Sequence, residues 1–253
     1  FFGGWMPPDL IIIAARPSMG KTAFILASIW DSAQDDDNDI VFFTLEMSVN
    51  QIKNKIATRL TGIDYNRIQR AQLSQEEFSK VIQAYKIIED SNLNILGIQF
   101  CYLEKCILEC RRLHRLGMLK MIVIDYLQLM KSDKKHGSRE QEVSSISREL
   151  KLLAIELNVP IIGLAQMSRE SQVGARKPSL QDLRESGALE QDADIVAFLY
   201  RAAYYYDKSI SIPYENEFHT EFIVAKGRNT GVRSLYFFND VKNAIITDSS
   251  AIF

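Results

Sequence analysis

Short, nearly continuous apolar runs recur along the chain, and such runs are typical of strands buried on both faces of a parallel sheet. They lie at 10–13, 40–45, 121–125, 160–165 and 195–200. Two later segments, 221–225 and 234–239, instead alternate apolar and polar residues. That alternation predicts antiparallel strands, joined by a turn at 226–231.

Segments with helical spacing fill most of the intervals between these runs. The predicted helices lie at 23–30, 48–61, 74–90, 102–116 and 139–158. Ser74 and Glu77 have the spacing of a capping box at the start of the third helix. The pattern predicts an α/β fold with a mostly parallel central sheet, flanking helices and late antiparallel strands. Neither an internal repeat nor a linker interrupts it, so we expect residues 1–253 to form a single domain.

Composition and charge restrict the class of protein. Hydrophobic residues make up 47% and charged residues 25% of the chain, as in ordinary soluble globular domains. No apolar run is long enough to span a bilayer, so we expect no membrane association. The formal net charge of −2 gives no overall attraction to nucleic acid, so any contact with DNA has to be local. Cys101, Cys106 and Cys110 have helical spacing, which predicts free thiols rather than disulfides or a zinc site.

The segment between the first apolar run and the first predicted helix is close to the phosphate-loop pattern G-x-x-x-x-G-K-[ST], although Ala15 stands in place of the first glycine. In such a loop the backbone N–H groups and the helix N-terminus bind phosphates. Lys21 would contact the β- and γ-phosphates, and Thr22 would bind Mg²⁺. The alternative is an ordinary strand-to-helix turn. The expected nucleotide-binding residues are Arg16, Ser18, Met19, Gly20, Lys21, Thr22 and Ala23.

Three polar residues follow other predicted strands, where ligands bind in open α/β sheets. Glu46 is placed to orient or deprotonate a water that attacks the γ-phosphate; its alternative role is to cap the next helix. Asp125 ends an apolar strand in the manner of a Walker B acid that holds Mg²⁺; its alternative role is to form a turn. Gln166 is placed to sense the γ-phosphate.

Other segments carry weaker signals. The basic run at 111–115 suits a solvated helix face, with contact to DNA as the alternative. The polar loop at 167–179 is predicted to be mobile and to carry ligand contacts. The tyrosines at 204–206 could stack on bases or pack against the sheet. The acidic run at 35–39 is predicted to be a solvated loop, with a metal site as the weaker alternative.

Six stretches occur in the order found in one known family. They are Ala-Arg-Pro-Ser-Met-Gly-Lys-Thr at 15–22, Phe-Thr-Leu-Glu-Met-Ser at 43–48, Val-Ile-Asp-Tyr-Leu-Gln at 123–128, Leu-Ala-Gln at 164–166, the segment 182–194, and Lys-Gly-Arg-Asn at 226–229. Together they closely resemble the C-terminal motor domain of the bacterial replicative DNA helicases, the DnaB family. That family tolerates alanine at position 15, but Pro8 departs from its usual Pro-Gly-Asp-Leu sequence.

The resemblance implies a RecA-like P-loop NTPase fold and a homo-hexameric ring that uses ATP and Mg²⁺. It implies translocation on single-stranded DNA without sequence preference, unwinding of duplex at the replication fork, and a bacterial cytoplasmic location. A primase and a helicase loader are the implied protein partners. The family's N-terminal collar domain and linker helix are not among residues 1–253, so we expect this chain to be part of a longer protein.

The resemblance also assigns roles to individual residues. It implies that Glu46 is the catalytic base, Asp125 the Walker B acid and Gln166 the sensor. Arg184, Glu185 and Gly187 fall where the family's DNA-facing loop contacts the phosphate backbone. Lys226 and Arg228 match positions that reach a neighbouring subunit's ATP, whereas position alone would also allow Arg228 to be a solvated turn residue.

Two other functions deserve comparison with a helicase motor. A RecA-like recombinase or other ring ATPase is disfavoured by the segment 184–194 and by the Glu46 motif. A non-catalytic, nucleotide-regulated scaffold is disfavoured because Lys21, Thr22 and Asp125 are all retained together with Glu46.

Overall fold

A computed structural model of the protein describes residues 4–35, 39–167, 176–202, 219–240 and 245–248, with backbone alone for 184–186, 219, 238–240 and 245–248. The strands are β1 (Leu10–Ala15), β2 (Ile40–Thr44), β3 (Leu93–Leu96), β4 (Met121–Asp125), β5 (Ile161–Gln166), β6 (Ile195–Tyr200), β7 (His219–Gly227), β8 (Arg233–Asp240) and β9 (Ile245–Asp248). The α-helices are α1 (Lys21–Trp30), α2 (Val49–Thr61), α3 (Tyr65–Gln69), α4 (Gln75–Glu89), α5 (Leu103–Arg115), α6 (Arg139–Leu157) and α7 (Gly187–Asp192).

All of these strands belong to one sheet, in the order β3-β2-β4-β5-β1-β6-β7-β8-β9. The strands from β3 to β6 in that order are parallel, and β7, β8 and β9 are antiparallel to their neighbours. The predicted α/β fold, with a mostly parallel sheet and late antiparallel strands, is therefore confirmed.

Helices cover both faces of the parallel part of the sheet. Alternate residues of the fully buried strand β1 point to opposite sides. Leu10 and Ile12 pack in the cluster that includes residues of α5 and α6. Ile11 and Ile13 pack in the cluster that includes residues of α1, α2 and α4. Burial on both faces explains why the strands are apolar throughout rather than alternating.

Capping boxes mark the starts of two helices. Ser74 and Glu77 form the predicted capping box of α4. Ser48 and Gln51 form a second capping box, at the start of α2. Because Ser48 caps this helix, the alternative role of Glu46 as the cap is wrong.

Four elements were not predicted: β3, β9, α3 and α7. β3 has only four residues, of which three are half-buried, so its apolar pattern is weak. α3 and α7 have five and six residues, too few for helical spacing to be recognised. Parts of other predicted segments lie outside the described residues: 36–38, 168–175 and the tyrosines at 204–206.

The remaining composition-based predictions can be compared with the fold. Cys106 and Cys110 are buried free thiols and Cys101 is a half-buried one, as predicted. In the part of the chain that the structure describes, no helix is both long and apolar enough to cross a bilayer. In the basic run at 111–115, Arg111 pairs with Glu156 of α6 and Arg112 with Glu109, which agrees with a solvated helix face.

Candidate active site

Four neighbouring parallel strands end at one edge of the sheet and carry the predicted site residues. In the order β2-β4-β5-β1, Glu46 follows the first strand, Asp125 ends the second and Gln166 ends the third. The segment 16–23 follows the fourth strand and runs into α1. A cavity of about 390 Å³ opens here, lined by residues 16–23, Glu46, Met47, Lys55, Thr58, Tyr65 and Gln166.

The segment 16–23 turns from β1 into α1 through two residues with positive φ. Gly20 is the N-cap of α1 and has φ 89° and ψ 26°, a left-handed conformation that favours glycine. Ser18 also has a positive φ of 64°. The first intrahelical bond runs from the Phe24 N–H to the Gly20 carbonyl, at 2.9 Å. The N–H groups at the first helical positions therefore remain available to an anion at the positive end of the helix dipole.

Thr22 and Asp125 form the part of the site that suits a hard cation. The Thr22 hydroxyl donates a 2.6 Å hydrogen bond to Oδ2 of Asp125. Oδ1 of Asp125 is buried and has no hydrogen-bond partner among the described residues. Burial raises the pKa of Asp125, and the Thr22 hydrogen bond and the Lys21 charge oppose that rise. One hydroxyl and one unpartnered carboxylate oxygen suit Mg²⁺, which uses few protein ligands and completes its shell with phosphate and water.

Lys21 is buried beside these groups. Its Nζ lies 5.3 Å from the centroid of the Tyr126 ring. Burial lowers the pKa of Lys21, although the carboxylates of Asp125 and Glu46 oppose that shift. Phosphate oxygens would stabilise the ammonium form, because an adjacent opposite charge favours ionisation.

Glu46 is exposed at the mouth of the cavity, on a turn that is held firmly. The backbone N–H of Leu45 donates to the Asp125 carbonyl at 2.7 Å. The hydroxyl of Thr44 donates to the Met47 carbonyl at 2.7 Å. The turn therefore fixes the backbone of Glu46 next to the phosphate loop and leaves its carboxylate accessible to solvent.

Gln166 is held by a residue to which the sequence analysis gave no separate role. The backbone N–H of Gln166 donates to Oε1 of Gln128 at 3.1 Å. Nε2 of Gln128 donates to the Gln166 carbonyl at 3.0 Å. This double contact fixes the end of β5 and leaves the Gln166 side chain to face the cavity. Gln128 is therefore a supporting residue of the site.

Three residues that were not predicted from the sequence form another wall of the cavity. Lys55 and Thr58 lie on α2, and Tyr65 begins α3. The Lys55 ammonium lies 5.1 Å from the centroid of the Tyr65 ring, and burial lowers the pKa of Lys55. Oγ1 of Thr58 is buried without a hydrogen-bond partner among the described residues. The three-residue spacing of Lys55 and Thr58 places them on one helix face, but solvated polar residues have the same spacing.

Lys226 and Arg228 lie at the opposite edge of the sheet. β7 is antiparallel to β6, and Gly227 pairs with Ile195, which in turn pairs with Ile11 at the start of β1. The phosphate loop begins five residues beyond Ile11, roughly 16 Å farther along the strand. The structure therefore does not bring these two cations to the phosphate loop of their own chain.

The predicted DNA-contacting residues lie at the start of α7 and just before it. The side chains of Arg184 and Glu185 lie outside the described part of the structure, which gives only their backbone, in a 3-10 helix spanning Leu180–Ser186. Gly187 is exposed, and among the described residues outside its own helix and chain neighbours no atom lies within 4 Å of the position that a Cβ would occupy there. Arg176 pairs with Asp182 in this segment.

The chain is similar to replicative DNA helicases of known bacteria. Replicative DNA helicase DnaC of Bacillus subtilis (strain 168) is 42% identical over 241 residues, which cover 94% of this chain and 52% of that protein. Replicative DNA helicase DnaB of Geobacillus stearothermophilus is 42% identical over 228 residues, or 89% of this chain and 49% of that protein. The chain thus spans about half the length of these relatives.

Solved structures and the family comparison agree with these relatives. A solved ATPase domain has a TM-score of 0.87 and 35% identity, covering 97% of this chain and 86% of its own. A solved structure of a DnaB-like replicative helicase and its interactions with primase has a TM-score of 0.86 and 33% identity. The match covers 96% of this chain and 58% of that chain. The DnaB-like helicase C-terminal domain family matches residues 1–243. The chain therefore belongs to the DnaB-like helicase C-terminal domain family.

Proposed function

We propose that this chain is the ATP-hydrolysing motor of a replicative DNA helicase. It translocates on single-stranded DNA and unwinds duplex at the replication fork, as part of a homo-hexamer in the bacterial cytoplasm. Residues 1–253 act as a single motor domain within it. The observation that carries the proposal is that the phosphate loop, Glu46 and Gln166 line one cavity, and that Thr22 of the loop is hydrogen-bonded to Asp125.

Each residue has a distinct task in hydrolysis. The N–H groups of the loop and Lys21 bind the phosphates of ATP, and Thr22 and Asp125 hold Mg²⁺. The cation supplies charge stabilisation for the phosphates. Glu46 orients the attacking water and accepts its proton. Gln166 senses the γ-phosphate, and Gln128 keeps the end of β5 in place while it does so.

The active site is completed by the neighbouring subunit. Arg228 stabilises the charge that develops on the neighbour's γ-phosphate, and Lys226 assists by adding positive charge beside it. The position of both residues at the sheet edge opposite their own phosphate loop supports action in trans. An arginine in this role is worth about 10³–10⁵ in rate.

DNA contacts are few and are made to phosphate. The Arg184 side chain and the backbone N–H groups of Glu185 and Gly187 provide them, and the formal net charge of −2 adds no overall attraction to DNA. Contacts of this kind carry no sequence information. A primase and a helicase loader are the proposed protein partners; the relative solved with its interactions with primase supports the first of them.

Phosphate release with and without single-stranded DNA tests the proposal most directly. The intact protein should hydrolyse ATP, and single-stranded DNA of any sequence should change the rate. Lys21→Ala should abolish the activity by weakening nucleotide binding. A scaffold would release no phosphate. A recombinase would hydrolyse ATP but would not unwind a forked duplex, so an unwinding assay on the same preparation separates these functions.

A further inference from the structure

Asp194 connects β1, α6 and the turn after β7, at the end of the sheet where the parallel strands begin. Its Oδ2 accepts hydrogen bonds from the Leu10 N–H at 2.8 Å and from Lys151 Nζ at 2.6 Å. Its Oδ1 accepts from Nη1 of Arg228 at 3.0 Å. The Asp194 side chain is only 8% exposed, so its orientation is fixed by β1 and α6.

Arg228 is held by the same short segment and yet remains accessible. Its Nη2 donates to the Gln191 carbonyl at 2.7 Å, and its backbone N–H donates to the Asp194 carbonyl at 2.9 Å. The side chain is 47% exposed. These side-chain contacts use two of the five N–H donors of a guanidinium, so the others can face a ligand outside the chain.

Lys226 fastens the segment that carries Asp194. Its Nζ donates to the carbonyls of Glu190 and Ala193, the latter at 2.8 Å, and approaches the Gln191 carbonyl at 3.4 Å. These carbonyls lie at and just beyond the C-terminal end of α7, where a cation is favourable. All three N–H donors of Lys226 are thus directed at its own chain. Of the two cations, Arg228 is therefore the one with N–H donors available to a ligand outside the chain.

We propose that Asp194 is a positioning residue for Arg228, which it orients toward the phosphates of the neighbouring subunit's ATP. This inference rests on the proposed role of Arg228 in trans. Arginine has a long side chain with many rotamers, and a donor that is already oriented costs no reorganisation at the moment of reaction. The buried Asp194, tied to the first residue of β1, supplies that orientation from the rigid part of the fold.

A purely structural role for Asp194 is the competing explanation. Asp194 also pairs with Lys151, whose Nζ donates in addition to the Pro8 carbonyl at 2.9 Å. Removing Asp194 could therefore loosen the start of β1 without any effect specific to Arg228. The two explanations differ in which half of a shared active site is damaged, and mixed assemblies can report that difference.

The test combines Asp194→Asn with two other variants of the intact protein, Glu46→Gln and Arg228→Ala, under conditions in which subunit exchange is demonstrated. Alone, Asp194→Asn should lower kcat by about 10²-fold, the cost of a small misplacement, with little change in KM for ATP. Mixed with Glu46→Gln, it should recover part of the ATPase, because an intact Glu46 then meets a well-placed Arg228 from the neighbour. Mixed with Arg228→Ala, it should recover none.

The reverse pattern, recovery with Arg228→Ala but not with Glu46→Gln, would place the damage in the subunit's own nucleotide site and overturn the proposal. The mixture of Arg228→Ala with Glu46→Gln tests the underlying function. If that mixture recovers activity and the Asp194→Asn mixture with Glu46→Gln does not, only the positioning role fails. If neither mixture recovers, the role of Arg228 in trans fails as well.

Lys151→Met is the matched control, because it removes the other charged partner of Asp194 and leaves Arg228 untouched. It should lower the melting temperature but leave kcat within a few-fold of the wild type. An equal loss of kcat in Lys151→Met would assign the effect to the stability of the charge cluster. If Asp194→Asn does not fold, the double variant Asp194→Asn/Lys151→Met replaces it, because it leaves no unpaired lysine beside the amide. The double variant is mixed with Glu46→Gln and with Arg228→Ala, and the same pattern of recovered ATPase activity is expected.

Discussion

The hydroxyl of Thr22 donates a 2.6 Å hydrogen bond to Oδ2 of Asp125, although the two residues are 103 positions apart in the chain. The bond joins the first turn of α1 to the end of β4, across the intervening strand β5. It therefore fixes the position of the phosphate loop relative to β4, the strand that carries the proposed metal-binding carboxylate. The hydrogen bond keeps the Thr22 hydroxyl and the Asp125 carboxylate next to each other.

Asp125→Asn is expected to stabilise the ligand-free protein at neutral pH while reducing Mg²⁺-dependent hydrolysis. Burial raises the pKa of Asp125 above its ordinary value of 3.8, so the charged form is disfavoured in the folded state. The stability that this shift contributes is present below the unfolded pKa and is lost as pH rises through the folded pKa. The asparagine does not titrate, so its advantage in melting temperature should grow from acidic to neutral pH. A variant less stable than the wild type at every pH would contradict this expectation.

Glu46→Gln should bind ATP normally and hydrolyse it about 10²–10⁴-fold more slowly, because an amide cannot accept the proton of the attacking water. Nucleotide binding and single-turnover hydrolysis measure the two effects separately. Glu76→Gln, at an exposed glutamate near the start of α4, is the control and should leave the rate unchanged. Turnover close to normal in Glu46→Gln would remove Glu46 from the role of base.

Arg184→Ala should weaken binding of single-stranded DNA by the same factor for every base sequence, because a phosphate contact is lost. The dependence of log affinity on log salt should become shallower by about 0.7, the value for one phosphate contact on a single strand. Fluorescence anisotropy with several oligonucleotides at several salt concentrations measures both quantities. A sequence-dependent loss, or no loss, would argue against this placement of Arg184.

Gly163→Ala should destabilise the protein by about 1–3 kcal/mol through overpacking. A Cβ at Gly163 of β5 would lie 2.6 Å from Cδ1 of Leu127, a fully buried side chain. Leu127→Ala alone should cost about 2–5 kcal/mol by leaving a cavity. The double variant should cost less than the sum, because the new methyl occupies part of that cavity. Denaturant unfolding measures the cycle, and strict additivity would show that the two side chains do not interact.

The sequence predicted five of the six parallel strands, all except β3, because burial on both faces leaves a strong apolar signal. It also predicted that Glu46, Asp125 and Gln166 would meet, since the carboxyl ends of parallel strands share an edge. The wall of the cavity formed by Lys55, Thr58 and Tyr65 was not predictable. Lys55 and Thr58 are polar positions of α2 and Tyr65 begins the short helix α3, so only the packing of these helices distinguishes them from solvated residues.

The hydrogen-bond partners of Lys226 and Arg228 could not be predicted from the sequence either. Hydrogen bonds to backbone carbonyls, such as the one from Arg228 to Gln191, leave no trace in residue type. The ion pair of Arg228 with Asp194 crosses 34 residues, and many acidic residues could have served. What identified these cations as candidates was their motif, whereas their placement required the antiparallel pairing of β7 with β6.

The separation of the phosphate loop and Arg228 onto opposite edges of the sheet has a consequence for symmetry. A two-fold dimer could share both sites only if the phosphate loop and Arg228 lay within one self-complementary patch. A head-to-tail contact instead joins the loop of each subunit to Arg228 of the next, an arrangement that either closes on itself or grows without limit. In a closed circle every subunit would own a complete site. A single break would leave one loop without its arginine and one arginine without its loop, silencing the site at the break and sparing all the others.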